Sequence, residues 1–144
     1  MKIIVDINVV LDVLLKRPSF YQDSFAVFRL IDQERLIGCI SASVITDIFY
    51  IANKEIKDVE TVYQAIENLA GIFSVVPVCE STIASALALR WKDFEDAVQF
   101  ITAKESNVEY IITRNKADYV TSDIPCISPT EFIAYFKEKE EKNE

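Results

Sequence analysis

Aspartates recur where this chain changes from apolar to polar, and they are the residues best suited to chemistry. The run Ile3-Ile4-Val5 ends at Asp6, Asp47 stands in an apolar stretch, Asp93 and Asp96 open a later segment, and Asp118 follows the apolar run closed by Thr113. Carboxylates brought together repel one another, so such a group normally holds a cation. Oxygen donors without histidine or thiolate suit Mg²⁺ or Mn²⁺. Ions of this kind activate water and stabilise the leaving oxygen in phosphodiester cleavage. The chain has no histidine, which excludes a Ser-His-Asp triad, a Cys-His pair and a histidine-bound zinc site.

For these acids to act together, the fold must deliver them to one edge. Residues 2–5 read as a strand buried on both faces, since their apolar run does not alternate. Asn8 is expected to cap a first helix carrying Val10, Val13 and Leu14, with Pro18 stopping it. A second helix is expected over residues 21–34, with Phe25, Phe28 and Ile31 on its buried stripe. Residues 36–40 read as a second strand. Ser41-Ala42-Ser43 then caps a largely buried helix that contains Asp47, a charge that needs a partner or a function.

Asp58 is expected to cap the next helix and Gly71 to end it. Strands are expected over residues 73–78, 108–113 and 125–127, with helices from 82 to 91 and from Asp93 onward. Ser128-Pro129-Thr130-Glu131 is a strong helix start, with Glu131 completing a capping box. The alternation predicts an α/β fold, a central parallel sheet of four to five strands between helices. One domain is expected over residues 1–136, followed by a frayed, charged tail at 137–144. In an open α/β sheet, ligands bind outside the carboxyl ends of the strands, where Asp6, Ser41 to Asp47, Asn115 and Asp118 fall.

Composition narrows the partners. Fifteen basic and 23 acidic residues give a net charge of −8, so the overall field does not favour nucleic acid. Binding it requires a local basic patch or a bound cation. Arg114, Asn115 and Lys116 lie beside the acidic edge, and Lys16, Arg17, Arg90 and Lys92 are further candidates. Cys39, Cys79 and Cys126 form no CxxC pair and read as buried reduced thiols, which suits a cytoplasmic setting. No leader and no membrane span are expected.

Each acid also has a plainer reading. Asp93 serves first as a helix cap. Asp96 can complement the helix dipole. Asp118 fits a turn, and Asp12 a supporting position on the first helix. The plain reading is weakest for Asp6, because it directly ends a buried strand.

The motifs, taken in order, resemble those of PIN-domain nucleases. Asp6-Ile7-Asn8-Val9-Val10-Leu11-Asp12 resembles the family's D-T-N-V-L-L-D opening. Asp93-Phe94-Glu95-Asp96-Ala97 is similar to D-x-x-D-A, and Thr113-Arg114-Asn115-Lys116-Ala117-Asp118-Tyr119 to T-R-N-x-x-D-F. The resemblance runs from Met1 to about Phe136. It implies an α/β/α sandwich, Mg²⁺ or Mn²⁺ dependence and RNA cleavage. It also implies a toxin with an antitoxin partner, and a homodimer.

By motif, Asp6 and Asp96 match the principal metal ligands. Asp47 falls where glutamate is usual, and Asp93 and Asp118 match the remaining acids. Asp6, Asp47, Asp96 and Asp118 are thus the catalytic candidates, with Asn8, Asp12 and Thr113 supporting them. Three departures bear on activity. Asp47 is one methylene shorter than glutamate, and Asn115 stands where many members carry aspartate. Ile7 also replaces the motif's threonine and loses its hydroxyl. An RNA-binding or interaction protein without catalysis is therefore the alternative. A phosphatase with Asp6 as nucleophile ranks last, because Asn8 replaces the second acid of its D-x-D motif.

Overall fold

A computed structural model describes residues 1–119 and 121–144. The chain runs β1 (Lys2–Val5), α1 (Ile7–Leu14), α2 (Tyr21–Asp32), β2 (Ile37–Ser41), α3 (Ala42–Ile56), α4 (Val59–Ile72) and β3 (Ser74–Val76). It continues through α5 (Glu80–Leu89), α6 (Phe94–Glu105), β4 (Tyr110–Ile112), a 3₁₀ turn (Lys116–Tyr119), β5 (Cys126–Ile127) and α7 (Pro129–Lys142). The strands form one parallel sheet in the order β3-β2-β1-β4-β5. The α/β/α arrangement expected from the sequence is the one observed.

β1 is central because both of its faces are covered. Ile3 and Val5 pack with Val9, Val27, Ile48 and Phe132, while Ile4 packs on the opposite layer with Phe100, Ala103 and Ile111. The Ile3, Ile4 and Val5 side chains are fully buried, worth about 2 kcal/mol each. Gly38 on the neighbouring β2 has no room for a side chain, since a Cβ there would stand 2.4 Å from Ile31 Cδ1.

Strand order reverses between β1 and β4. One side of the sheet is built by β2 and β3, the other by β5. That reversal opens a crevice at the carboxyl ends of β1 and β4, the position at which open α/β sheets bind ligands. Val5 pairs with Ile112. Asp6 and Thr113 each follow by one residue.

Several local expectations are corrected. Asp6, not Asn8, caps α1: its backbone is extended and its carboxylate accepts from the Ile7 N–H at 2.8 Å. Phe28 and Ile31 are buried as expected, joined on the inner face of α2 by Ser24, Val27 and Leu30, but Phe25 is 40% exposed and stacks on Tyr21. Gly71 does not end α4. The helix runs to Ile72, and buried Phe73, edge-on to Phe28 at 5.0 Å, draws the chain into β3.

The helix expected to start at Thr82 starts at Glu80, and Cys79 before it is exposed. Only Cys39 is fully buried among the three thiols. Residues 137–142 do not fray but extend α7, where Glu140 pairs with Arg35. Ser128 caps α7 through the Glu131 N–H, but Glu131 meets the Ser128 hydroxyl rather than its backbone, so the box is half formed. No described helix is long and apolar enough to cross a membrane.

Candidate active site

Register alone brings the first two groups together. The Asp6 N–H donates to the Ile112 carbonyl at 2.9 Å, continuing the β1–β4 ladder by one step. Thr113, 1% exposed, then donates its hydroxyl to Asp6 Oδ2 at 2.9 Å. The same hydroxyl accepts the Asn115 N–H at 3.1 Å, which ties the turn leading to Asp118. Asp6 therefore has one oxygen on a helix start and the other on the adjacent strand. Burial raises its carboxyl above the ordinary 3.8, opposed by the Thr113 and Ile7 hydrogen bonds and reinforced by the Asp118 charge.

α6 supplies the facing acids. Asp93 caps it by accepting from the Asp96 N–H at 3.2 Å. Asp96 follows in the first turn, half-buried, where the free N–H groups favour an anion. Its carboxyl is nonetheless pushed up to about 7, first by desolvation, then by Asp93, Asp118, Asp6 and Glu95. Four neighbouring carboxylates thus oppose its ionisation. They share a field that a cation would relieve.

Asp6 and Asp96 line a cleft of about 340 Å³ together with Asp47, Ser43, Phe94 and Gln99. Asp96 also borders an adjoining hollow with Asp93, Asp118 and Trp91. Asp47 was expected on a largely buried helix. It is exposed, because α3 turns only Ile48 and Ala52 fully inward. Asp118 lies exposed in the 3₁₀ turn. Among the described residues, no three acidic or thiol side chains converge closely enough to form a ready-made metal cage. The donors still fit Mg²⁺, which keeps several waters and takes one or two protein carboxylates.

The expected substrate-facing residues divide. Arg114 is engaged within the protein: its Nη2 donates to Asp12 Oδ1 at 3.3 Å, and its Nε approaches Asp12 Oδ2 at 2.8 Å without directing its N–H there. Its guanidinium also lies over the Phe20 ring at 3.9 Å. Lys116 pairs with Glu131 at 2.6 Å on the surface. Asn115 is exposed, and Asn8 sits in the first turn of α1. Asp12 is fully buried and also receives Arg17 Nη1 at 3.2 Å.

Gln99 was not foreseen. It lies one turn after Asp96 on α6, and that spacing puts both on one helix face. A polar residue there, between Val98 and Phe100, was the available signal.

The raised Asp96 pKa fixes a pH dependence for the metal-free protein. The unfolded carboxyl ionises near 3.8 and the folded one near 7. Over that window the folded state holds the extra proton, so stability falls as pH rises and the full penalty applies above about 7. Replacing Asp96 with Asn is expected to flatten this fall, so that in EDTA the variant melts a few degrees above wild type at pH 8 and level with it near pH 4. Parallel melting curves across that range would contradict the assignment.

The model of the PIN domain family matches residues 2–117. The chain is 25% identical over 136 residues to ribonuclease VapC1 of Aquifex aeolicus, covering 91% of this chain and 92% of that one. Its fold is similar to VapBC2 of Rickettsia felis bound to a promoter DNA fragment, with TM-score 0.66, 14% identity and coverage of 89% and 98%. It is also similar to FitAB bound to a DNA fragment, with TM-score 0.67, 21% identity and coverage of 88% and 94%. A toxin–antitoxin complex from Klebsiella pneumoniae gives TM-score 0.65 at 19% identity, with coverage of 88% and 96%.

Proposed function

The chain belongs to the PIN domain family, and from that premise we propose that it is a Mg²⁺- or Mn²⁺-dependent endoribonuclease, the toxin of a toxin–antitoxin pair. The observation that carries the reading is that Asp6 and Asp96 line one cleft at the strand-order reversal, where desolvation and then four neighbouring carboxylates raise the Asp96 pKa. A ribonuclease among the similar proteins and toxin–antitoxin complexes among the similar structures support it.

In this proposal Asp6 and Asp96 hold the cation, and Asp93 and Asp118 hold a second ion or orient water. Asp47 reaches into the same cleft from α3. When bound, the cation would lower the pKa of its water and stabilise charge on the leaving oxygen. The protein's own part is positional. Thr113 fixes the orientation of Asp6, and the Asp93 cap fixes the start of α6 that presents Asp96. Asp12 holds Arg17 and Arg114 in place, and Asn8, in the first turn of α1, is the proposed supporting residue beside Asp6. Asn115 and Lys116 are the proposed contacts with RNA phosphates, Lys116 by leaving Glu131, and Arg114 braces that corner. An antitoxin partner, a homodimer and a cytoplasmic setting complete the proposal.

The test is cleavage of a mixed RNA pool by the purified protein. Cleavage in Mg²⁺ that EDTA stops and added Mn²⁺ restores is expected. Cleavage that survives EDTA would refute the metal-dependent mechanism.

A second reading is an RNA-binding or interaction protein without catalysis. The observation in its favour is the exposed Asp47 and the lack of a three-acid cage among the described residues. A calorimetric Mn²⁺ titration without saturable binding would favour that reading.

A further inference from the structure

Gln99 is 5% exposed, yet among the described residues nothing bonds its side-chain oxygen or nitrogen. A buried amide without partners is costly, and native structures keep few of them without a use. Gln99 borders the same cleft as Asp6 and Asp96. Ser43, Asp47 and Glu95 add polar groups to its lining, but one side is apolar, with Val44 from α3, Ile83 from α5 and Phe94 at the start of α6. Phe94 is 44% exposed, so a large aromatic face stands at the rim with no protein layer over it.

We infer that the Phe94 side of this cleft is a nucleobase subsite, in which the Gln99 amide, enclosed in the free protein, turns to hydrogen-bond the edge of one unpaired base stacked against Phe94, beside the phosphodiester bond that is cut. The inference rests on the ribonuclease reading and adds to it a residue that selects sequence. The chemistry fits three features of the cleft. Its volume of about 340 Å³ lies within the range of small-molecule sites. A side-chain amide presents a donor and an acceptor side by side, the pattern that base edges match. An aromatic face stacks any base, so Phe94 would give affinity and Gln99 selectivity. The phosphodiester belongs at the acidic end, where a cation on Asp6 and Asp96 would offset the carboxylates, which leaves the apolar side by Phe94 for the base.

The experiment uses an RNA of randomised sequence, cut by the full chain in Mg²⁺, with the product ends sequenced. Wild type is expected to prefer one base by about ten-fold at a fixed position beside the cut. Gln99→Leu is expected to reduce that preference below about two-fold, and to melt at or above wild type because it removes an unpaired buried amide. Phe94→Ala, at an exposed position, is expected to raise KM by about ten-fold. The same base preference in Gln99→Leu, an unbiased wild type, or an unchanged KM in Phe94→Ala would each overturn the subsite while leaving the ribonuclease reading intact. No cleavage by wild type at all would overturn both.

Discussion

Replacing Asp6 with Asn is expected to lower metal-dependent RNA cleavage by about 10³-fold, since a cation supplies several kcal/mol of transition-state stabilisation. The fold is expected to survive. Asn is as good a helix cap as Asp, and the Thr113 hydroxyl, now 2.9 Å from Oδ2, can turn to accept from the new amide. The variant also removes a carboxyl whose ionisation burial opposes, so its melting temperature in EDTA should equal or exceed that of wild type at pH 7. Cleavage in Mg²⁺ under single-turnover conditions checks the first point, and thermal melts check the second. A rate within ten-fold of wild type would remove Asp6 from the mechanism.

The largest expected effect on stability lies at Arg114. Asp12 is fully buried and depends on two guanidinium groups, with Arg114 meeting both of its oxygens and Arg17 only one. Breaking a buried ion pair outright costs about 3–5 kcal/mol, and because Arg17 stays on Asp12 the loss at Arg114 is expected at the lower end of that range. Arg114→Ala also loses the contact over Phe20, worth about 0.5–1 kcal/mol at a partly exposed position. Urea unfolding should therefore show a lower midpoint at an unchanged slope. The double variant Asp12→Leu/Arg114→Leu should recover most of the loss, because replacing a buried pair with apolar residues is often neutral. Equal, additive losses in the two single variants and their double would show that the two side chains do not depend on each other.

This ion pair also shows how far the sequence could be read. Ile3 to Asp6 was legible because an unbroken apolar run closed by an acid fits a buried strand that ends at a polar edge and little else. The rest of the sheet followed from the alternation of elements. The Asp93 cap was legible from its place before an apolar helix. What depends on side-chain direction was not legible. Arg114 sits next to Thr113 in the chain, and nothing local tells that its guanidinium turns back to Asp12, 102 positions away. Asp47 looked buried because apolar residues surround it in sequence, but α3 packs through a narrow face of Ile48 and Ala52. Gln99 escaped notice because its meaning lies in the absence of a partner, which only the packed structure can show.

The proposed chemistry depends on one cation shared by β1 and α6. Anomalous diffraction from a crystal soaked in Mn²⁺ probes that cation itself. A peak is expected between the Asp6 and Asp96 carboxylates, absent in the Asp96→Asn variant. A protein that cleaves RNA in Mn²⁺ but shows no peak there, or one only elsewhere, would contradict the shared site.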